Sequence, residues 1–366
     1  MNDILSTGVK VVKNVNHFEF IHDDIKRIKE VIETKKNELD KGDRVIIFID
    51  DFFENKKNFN FLESFEIIYV NTKNEPSVDF IDDLMVELRQ KSSVKPSIIV
   101  AIGGGVTMDT AKASANLFTN HGKACEFQGW DLVKKPAIYK IAIPTISGTG
   151  AEATRTCVLT NYEKKLKLGM NSDYTVFDYV IMAPSLSKTV PRNQYFYTGM
   201  DAFIHCIESI EGQFRNPIGD EFSSITIKLC REVFNSKDMM SDQMREKLML
   251  ASYFGGCSIG MSYVGVVHPL SAGLSIVLGT HHCIANCIVM NSMEEFYKDY
   301  YLEFHEMAKQ QSVEIPKGLA KNLTDEQYDR LYQSSIIHEK PLYNALGKDF
   351  KDILNKKKVK ELFKKM

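Results

Sequence analysis

The chain has 366 residues, of which 44% are hydrophobic and 26% charged, with a formal net charge of -2 at pH 7. That composition belongs to a soluble globular protein and gives no reason to expect a nucleic-acid partner. The length exceeds what one hydrophobic core usually serves, so two domains are expected. The opening stretch, MNDILSTGVKVVKNVNHFEF, has neither the apolar core nor the cleavage pattern of a signal peptide. Seven cysteines are scattered at 125, 157, 206, 230, 257, 283 and 287, with no Cys-x-x-Cys pair. An odd, dispersed set fits reduced thiols and predicts a cytoplasmic protein.

Four short runs rich in Ile and Val come first: RVIIFID at 44–50, FEIIYVN at 65–71, SIIVAIG at 97–103 and YKIAIPT at 139–145. Bounded by turn residues, they read as strands covered on both faces. Helical patterns over 78–90 and 108–117 lie between them, with Ser77 and Thr107 as expected N-caps. Strand and helix in alternation predict a doubly wound, parallel α/β domain. After DYVIMAPSLSKTVPRNQ the strand signal fades, and from about residue 195 the periodicity is helical. The expected division is an α/β domain at 1–187 and an all-helical domain at 188–366. The Lys-rich end, KDFKDILNKKKVKELFKKM, reads as the solvated face of a terminal amphipathic helix.

VAIGGGVTMDTAKASANL places Gly103, Gly104 and Gly105 directly after a strand and before a helix. Such a loop lets the backbone approach a ligand and points helix N–H groups at an anion, a diphosphate above all. It matches neither Gly-x-Gly-x-x-Gly nor the P-loop pattern. A second small-residue loop, PTISGTGAEAT at 144–154, follows the next strand and could line the same crevice. Asp50 closes the strand RVIIFID. There it could accept ribose hydroxyls and repel a 2′-phosphate, favouring NAD over NADP; Asp51 is an alternative, and a plain turn aspartate is another.

Asp201 and His205 stand four apart in TGMDAFIHCIES, on one face of a predicted helix. A carboxylate in so apolar a segment needs a salt bridge, hydrogen bonds or a metal. From 248 to 293 there is no Asp, Glu, Lys or Arg, yet His268, His281 and His282 fall there among Ser, Gly and Asn. That texture suits helices packed around a polar site better than a membrane span of ~20 apolar residues. A divalent metal would offset the buried carboxylate where no basic residue does. Cys283 and Cys287 flank these residues and read as small packing side chains.

Together these segments resemble the iron-containing (group III) alcohol dehydrogenase family, whose fold is shared with glycerol dehydrogenase and dehydroquinate synthase. GGGVTMDTAK is similar to its Gly-Gly-Gly-Ser-x-x-Asp-x-Ala-Lys, and PTISGTGAEAT to its Pro-Thr-Thr-x-Gly-Thr-Gly-Ser-Glu loop. GMDAFIHCIES resembles Met-Asp-Ala-x-x-His-x-x-Glu, and HCIANC resembles His-Gly-x-x-Asn-Ala. The resemblance implies a dehydroquinate synthase-like fold, a homodimer, and hydride transfer between a primary alcohol and nicotinamide in an interdomain cleft. It implies Asp201, His205, His268 and His282 as ligands of Fe²⁺, with Zn²⁺ the alternative. His282 is preferred to His281 because Asn286 follows it by four. A metal accepting five or six ligands would keep room for substrate beside four protein donors. By the same match Gly104, Gly105 and Asp109 would hold the diphosphate and nicotinamide side, with Thr145, Ser147, Thr149 and Lys167 at further cofactor-lining positions.

Three positions depart from the pattern. Val106 replaces the Ser of the glycine motif, Ala151 replaces the Ser before Glu152, and Ala272 stands where the family often carries a further His. A proton-relay role for that His does not transfer. The segment GTGAEATRTCVLTNYEKKLKLGMNSDYTVFD most resembles the 3-deoxy-octulosonate 8-oxidase branch. That implies oxidation at C8 of a sugar acid on the way to an 8-amino sugar of lipopolysaccharide, with Arg155 a candidate for its carboxylate or else a structural ion pair. The rival readings are a short-chain alcohol or diol dehydrogenase using NAD, and a dehydroquinate-synthase-like cyclase.

Overall fold

The computed structural model describes residues 13–366, so much of the N-terminal stretch read above lies outside the described residues. The described chain falls into two compact units, one of residues 13–146 and 151–189 and one of 147–150 and 190–366. The main division thus comes after Thr189. No composition change marks the transfer of 147–150 to the helical unit. Its cause is packing: Gly148, at φ +152°, lies so close to the Thr198 carbonyl that a Cβ there would collide with it.

The first unit holds a six-stranded, all-parallel sheet in the order β1-β9-β6-β4-β2-β3, formed by β1 (His17–Phe20), β2 (Val45–Asp50), β3 (Glu66–Val70), β4 (Ile98–Gly103), β6 (Tyr139–Pro144) and β9 (Tyr179–Met182). The four apolar runs are therefore strands, paired so that Ile47 lies between Ile67 and Val100. Every residue of β4 is buried, as is all of β2 except Asp50, which explains why these runs do not alternate. Ile47, Ile49, Val100 and Ile102 share a core with Ile28, Val31 and Ile32 of α1 (Arg27–Leu39). Helix α2 (Val78–Lys91) is capped as its sequence predicts, Phe80 N–H donating to Ser77 Oγ at 3.1 Å. Helix α3 (Gly105–Leu117) starts earlier than expected. Gly104 is its N-cap and Thr107 sits inside the first turn, because the Thr107 hydroxyl donates to Asp50 instead.

A smaller sheet, β5-β8-β7, comprises β5 (Gly129–Trp130), β7 (Thr156–Asn161) and β8 (Leu166–Asn171), with β7 and β8 an antiparallel hairpin. Its turn at 162–165 ends on Lys165 in the left-handed region, φ +54°. The hairpin was not anticipated, since TCVLTN and LKLGMN, buried or half-buried but mixed in polarity, lack the apolar runs of the main sheet.

The second unit has no strand among its described residues. It contains α4 (Arg192–Ile210), α5 (Pro217–Phe234), α6 (Asp242–Met261), α7 (Val267–Leu278), α8 (His282–Met290), α9 (Lys298–Gln310), α10 (Asp325–Ile336), α11 (Glu339–Leu346), α12 (Phe350–Ile353) and α13 (Lys356–Phe363). Starts are capped locally: Asn216 accepts from Gly219 N–H at 3.0 Å ahead of Pro217, and Thr324 forms a reciprocal box with Gln327. The charge-free stretch becomes the end of α6, all of α7 and all of α8, and no described helix is long and apolar enough to cross a membrane. The Lys-rich end buries Phe350, Val359, Leu362 and Phe363 and pairs Lys356 with Asp329 at 2.8 Å and Lys360 with Asp325 at 2.5 Å.

Candidate metal centre and glycine loop

Three helices bring Asp201, His205, His268 and His282 together. Asp201 and His205 share a face of α4, His268 opens α7 and His282 opens α8. His268 Nε2 lies 3.3 Å from Asp201 Oδ1, His205 Nε2 3.7 Å from the same oxygen, and His282 Nε2 3.7 Å from Oδ2. The His205 and His268 rings stack, with centroids 4.6 Å apart and planes 15° apart. Donor atoms of Asp201, His205 and His268 all fall within 4.8 Å of one another, a spacing that could hold one metal ion. His281, the other candidate, is exposed as the residue before α8.

Asn286, one turn beyond His282, donates its Nδ2 to Asp201 Oδ1 at 2.6 Å and lies 3.2 Å from His268 Nε2 and 3.3 Å from His282 Nε2. Cys283 Sγ donates to Asp201 Oδ2 at 3.6 Å, so this cysteine is more than packing. Glu208, a further turn along α4, contacts His268 Nδ1 with Oε2 and accepts Val267 N–H at 2.5 Å with Oε1. From sequence, Glu208 and Asn286 were only motif positions and Cys283 a packing side chain, none of them a partner of the site. The available signal was the position of Glu208, seven residues after Asp201 and so on the same helical face.

Asp201 is fully buried. Burial alone would raise its pKa, but His205, His282 and His268 reverse that and hold it well below the usual carboxylate range. Burial lowers His205 to about 3, leaving a neutral imidazole with a nitrogen lone pair, and its buried Nδ1 has no hydrogen-bond partner. For His268 the burial effect is overcome by Glu208 and Asp201, which raise it to about 9. Three imidazoles around a buried carboxylate, two of them on helices α7 and α8 that carry no Lys or Arg, are a chemical match for a divalent ion.

The glycine loop belongs to the first unit. Strand β3 lies on one side of β2 and β4 on the other, so the strand order reverses between β2 and β4, and Asp50 and Gly103 end those two strands. That reversal is the usual ligand crevice of an open parallel sheet. Asp50 accepts from Thr107 Oγ1 at 2.5 Å, Gly104 N–H at 3.2 Å and Thr145 Oγ1 at 3.3 Å. A Cβ on Gly103 would strike the Asp50 carboxylate, which accounts for that glycine without a ligand. Burial raises the Asp50 pKa to about 6 despite those donors. Its oxygens thus shape the loop, and the alternative, Asp51, accepts from Thr72 at 3.0 Å.

Half-buried Asp109 accepts Val158 N–H at 3.1 Å, and desolvation raises it to about 6 against the pull of Lys112 and Lys167. Lys167 on β8 is ion-paired with Glu75. Lys112, fully buried, donates to Thr154 O at 2.9 Å, Thr154 Oγ1 at 3.1 Å and Thr156 O at 2.8 Å. Ser147 and Thr149 lie in the 147–150 segment of the helical unit, Ser147 buried with no partner for its Oγ. Arg155 is paired with Asp131 at 2.5 Å and Asp173 at 3.2 Å, the structural role rather than a substrate-facing one.

The iron-containing alcohol dehydrogenase family model matches residues 24–184, and that of the Fe-containing alcohol dehydrogenase family, C-terminal, matches 195–347. The chain belongs to the iron-containing alcohol dehydrogenase family. It is 32% identical over 223 residues to sulfoacetaldehyde reductase of Bilophila wadsworthia, a match covering 60% of this chain and 56% of that protein, so little more than half of the curated relative is spanned. The fold is that of 1,3-propanediol oxidoreductase, with TM-score 0.81 at 20% identity over 96% of this chain and 98% of that one. Sulfoacetaldehyde reductase from Bifidobacterium kashiwanohense, solved in complex with NAD⁺, matches with TM-score 0.76 at 21% identity over 96% and 97%.

Proposed function

We propose that this chain is a metal- and NAD-dependent oxidoreductase interconverting a primary alcohol and its aldehyde. The observation that carries the reading is the convergence of Asp201, His205, His268 and His282 from three helices in a region without basic residues. These four would hold Fe²⁺, with Zn²⁺ the second choice. When bound, the divalent ion supplies a Lewis acid that makes a substrate hydroxyl more acidic, and NAD supplies the hydride acceptor. Asp201 contributes the negative charge, and His205 and His282 contribute imidazole nitrogens. Cys283 and Asn286 fix the carboxylate through hydrogen bonds to its two oxygens. Ala272, buried in α7, offers no proton to the substrate.

For the nucleotide, Gly103, Gly104 and Gly105 would receive the diphosphate at the strand-order reversal, with Thr145 as a further lining position; the family resemblance alone supports Ser147 and Thr149 as cofactor positions. Asp109 and Lys167 would act beside them by holding the β7–β8 hairpin. The preference for NAD over NADP rests on the acidic end of β2. Within this class the substrate we favour is C8 of a 3-deoxy-octulosonate, an anionic sugar acid; the resemblance of 148–178 to that branch supports it, as does a relative named for an anionic aldehyde.

The test is metal content of anaerobically purified protein beside His282→Ala, followed by NAD-linked assays. Those assays would compare 3-deoxy-octulosonate with butanol and propanediol. One equivalent of iron or zinc, lost in the variant, with turnover of a primary alcohol, is expected. Turnover of the simple alcohols alone would remove the sugar acid and leave the oxidoreductase; no metal after reconstitution would remove both.

A further inference from the structure

We propose that Glu208 is the second anionic arm of the metal centre, a positioning residue that orients His268 and makes the site match a divalent charge. The inference rests on the metal-centre reading above and goes beyond its four ligands. Glu208 is 1% exposed and lies on the same face of α4 as Asp201 and His205. One carboxylate oxygen meets His268 Nδ1, and the other accepts the N–H of Val267, the residue before His268. A single side chain therefore ties the first turn of α7 to α4 and selects which imidazole nitrogen faces Asp201. With Nδ1–H directed to Glu208, Nε2 is left for the centre, 3.3 Å from Asp201 Oδ1. Val266 N–H, one residue earlier, donates to the Tyr297 hydroxyl at 3.2 Å, so the backbone entering α7 is fixed at two successive positions.

Charge makes the second half of the case. Helices α7 and α8 carry no ionisable residue other than histidine and cysteine, and α4 supplies two buried carboxylates to this region, Asp201 and Glu208. With neutral imidazoles the pair carries two negative charges, which one divalent cation balances. A site with Asp201 alone would leave a bound divalent ion with an uncompensated positive charge in a low-dielectric interior. Glu208 acts on the ion through His268 and through space, without being a ligand.

The test is cobalt(II) affinity by chelator competition on metal-free wild type, Glu208→Gln, Glu208→Asp and Asp201→Asn, with circular dichroism melts of each. Glu208→Gln keeps one oxygen acceptor for His268 Nδ1–H, removes the charge, and gives up the acceptor for Val267 N–H, a loss the melts report separately. It should bind cobalt about 10–100-fold more weakly, with the visible cobalt bands unchanged in position. Glu208→Asp restores the charge and both acceptor oxygens on a shorter arm and should recover part of that loss, while an unchanged melting temperature across the three proteins separates the charge from the anchoring of Val267. Glu208→Gln binding within threefold of wild type, or Glu208→Asp no better than Glu208→Gln, overturns the role of Glu208. Cobalt binding by Asp201→Asn equal to wild type overturns the metal centre itself.

Discussion

Asp109 in the sheet unit, half-buried in the first turns of α3, and Asp201 in the helical unit, fully buried in the middle of α4, are both helix acids, yet their chemistry diverges. Asp109 accepts a backbone N–H and has Lys112 and Lys167 nearby, but burial still wins and its pKa rises to about 6. Asp201 is surrounded by three imidazoles, which outweigh burial and keep it ionised. The more deeply buried of the two is the one held ionised, so depth alone does not decide what such a carboxylate does; the donors around it do. Lys112 is saturated by threonine oxygens and holds the loop that ends in Thr154 and Thr156. The neutral imidazole of His205 beside Asp201 keeps a lone pair that a cation can use, which separates a structural polar network from a ligand set.

The sharpest way to break this contrast is Asp201→Ala. We expect loss of all stoichiometric metal, measured on anaerobically purified protein, while Asp109→Ala should leave metal content unchanged. Next in size, Lys112→Met leaves Thr154 and Thr156 oxygens without their donor and Asp109 without its nearest cation. About 3–5 kcal/mol of stability in urea should be lost, with cobalt affinity of the folded protein preserved.

The pH dependence follows with a smaller effect. Asp109 has a folded pKa raised from 3.8 to about 6, so its contribution to stability is present below pH 4 and lost as pH rises through 6. Asp109→Asn keeps an oxygen for Val158 N–H and should gain about 1–3 kcal/mol at pH 7 relative to wild type, and less at pH 4, in urea titrations at both values. An equal gain at both would show that Asp109 is not the titrating group. Smallest is Arg155→Ala. Its partly exposed ion pairs should be worth about 1 kcal/mol or less in thermal melts. The Michaelis constant for any acidic substrate should stay within twofold, and a large rise would return Arg155 to the substrate.

Much of the fold was legible in sequence because strands buried on both faces leave unbroken Ile and Val runs, as β2 and β4 do. Ser77 was legible as a cap because capping is local. Thr107 was misread since its partner, Asp50, is 57 residues away. The β7–β8 hairpin escaped because its strands bury polar residues such as Thr160, Asn161 and Lys167 and so lack that apolar signature.

By itself the sequence determined the two fold classes in order, the charge-free helical region and the residue types able to meet a buried Asp201, because each depends on local pattern or composition. The resemblance already preferred His282 to His281, and only the tertiary structure drew Asp50 and Arg155 into structural bonds, brought Cys283 to Asp201, and set Glu208 against His268. Those outcomes depend on which helix faces meet across long separations, and helical periodicity fixes a face without naming what will stand opposite it.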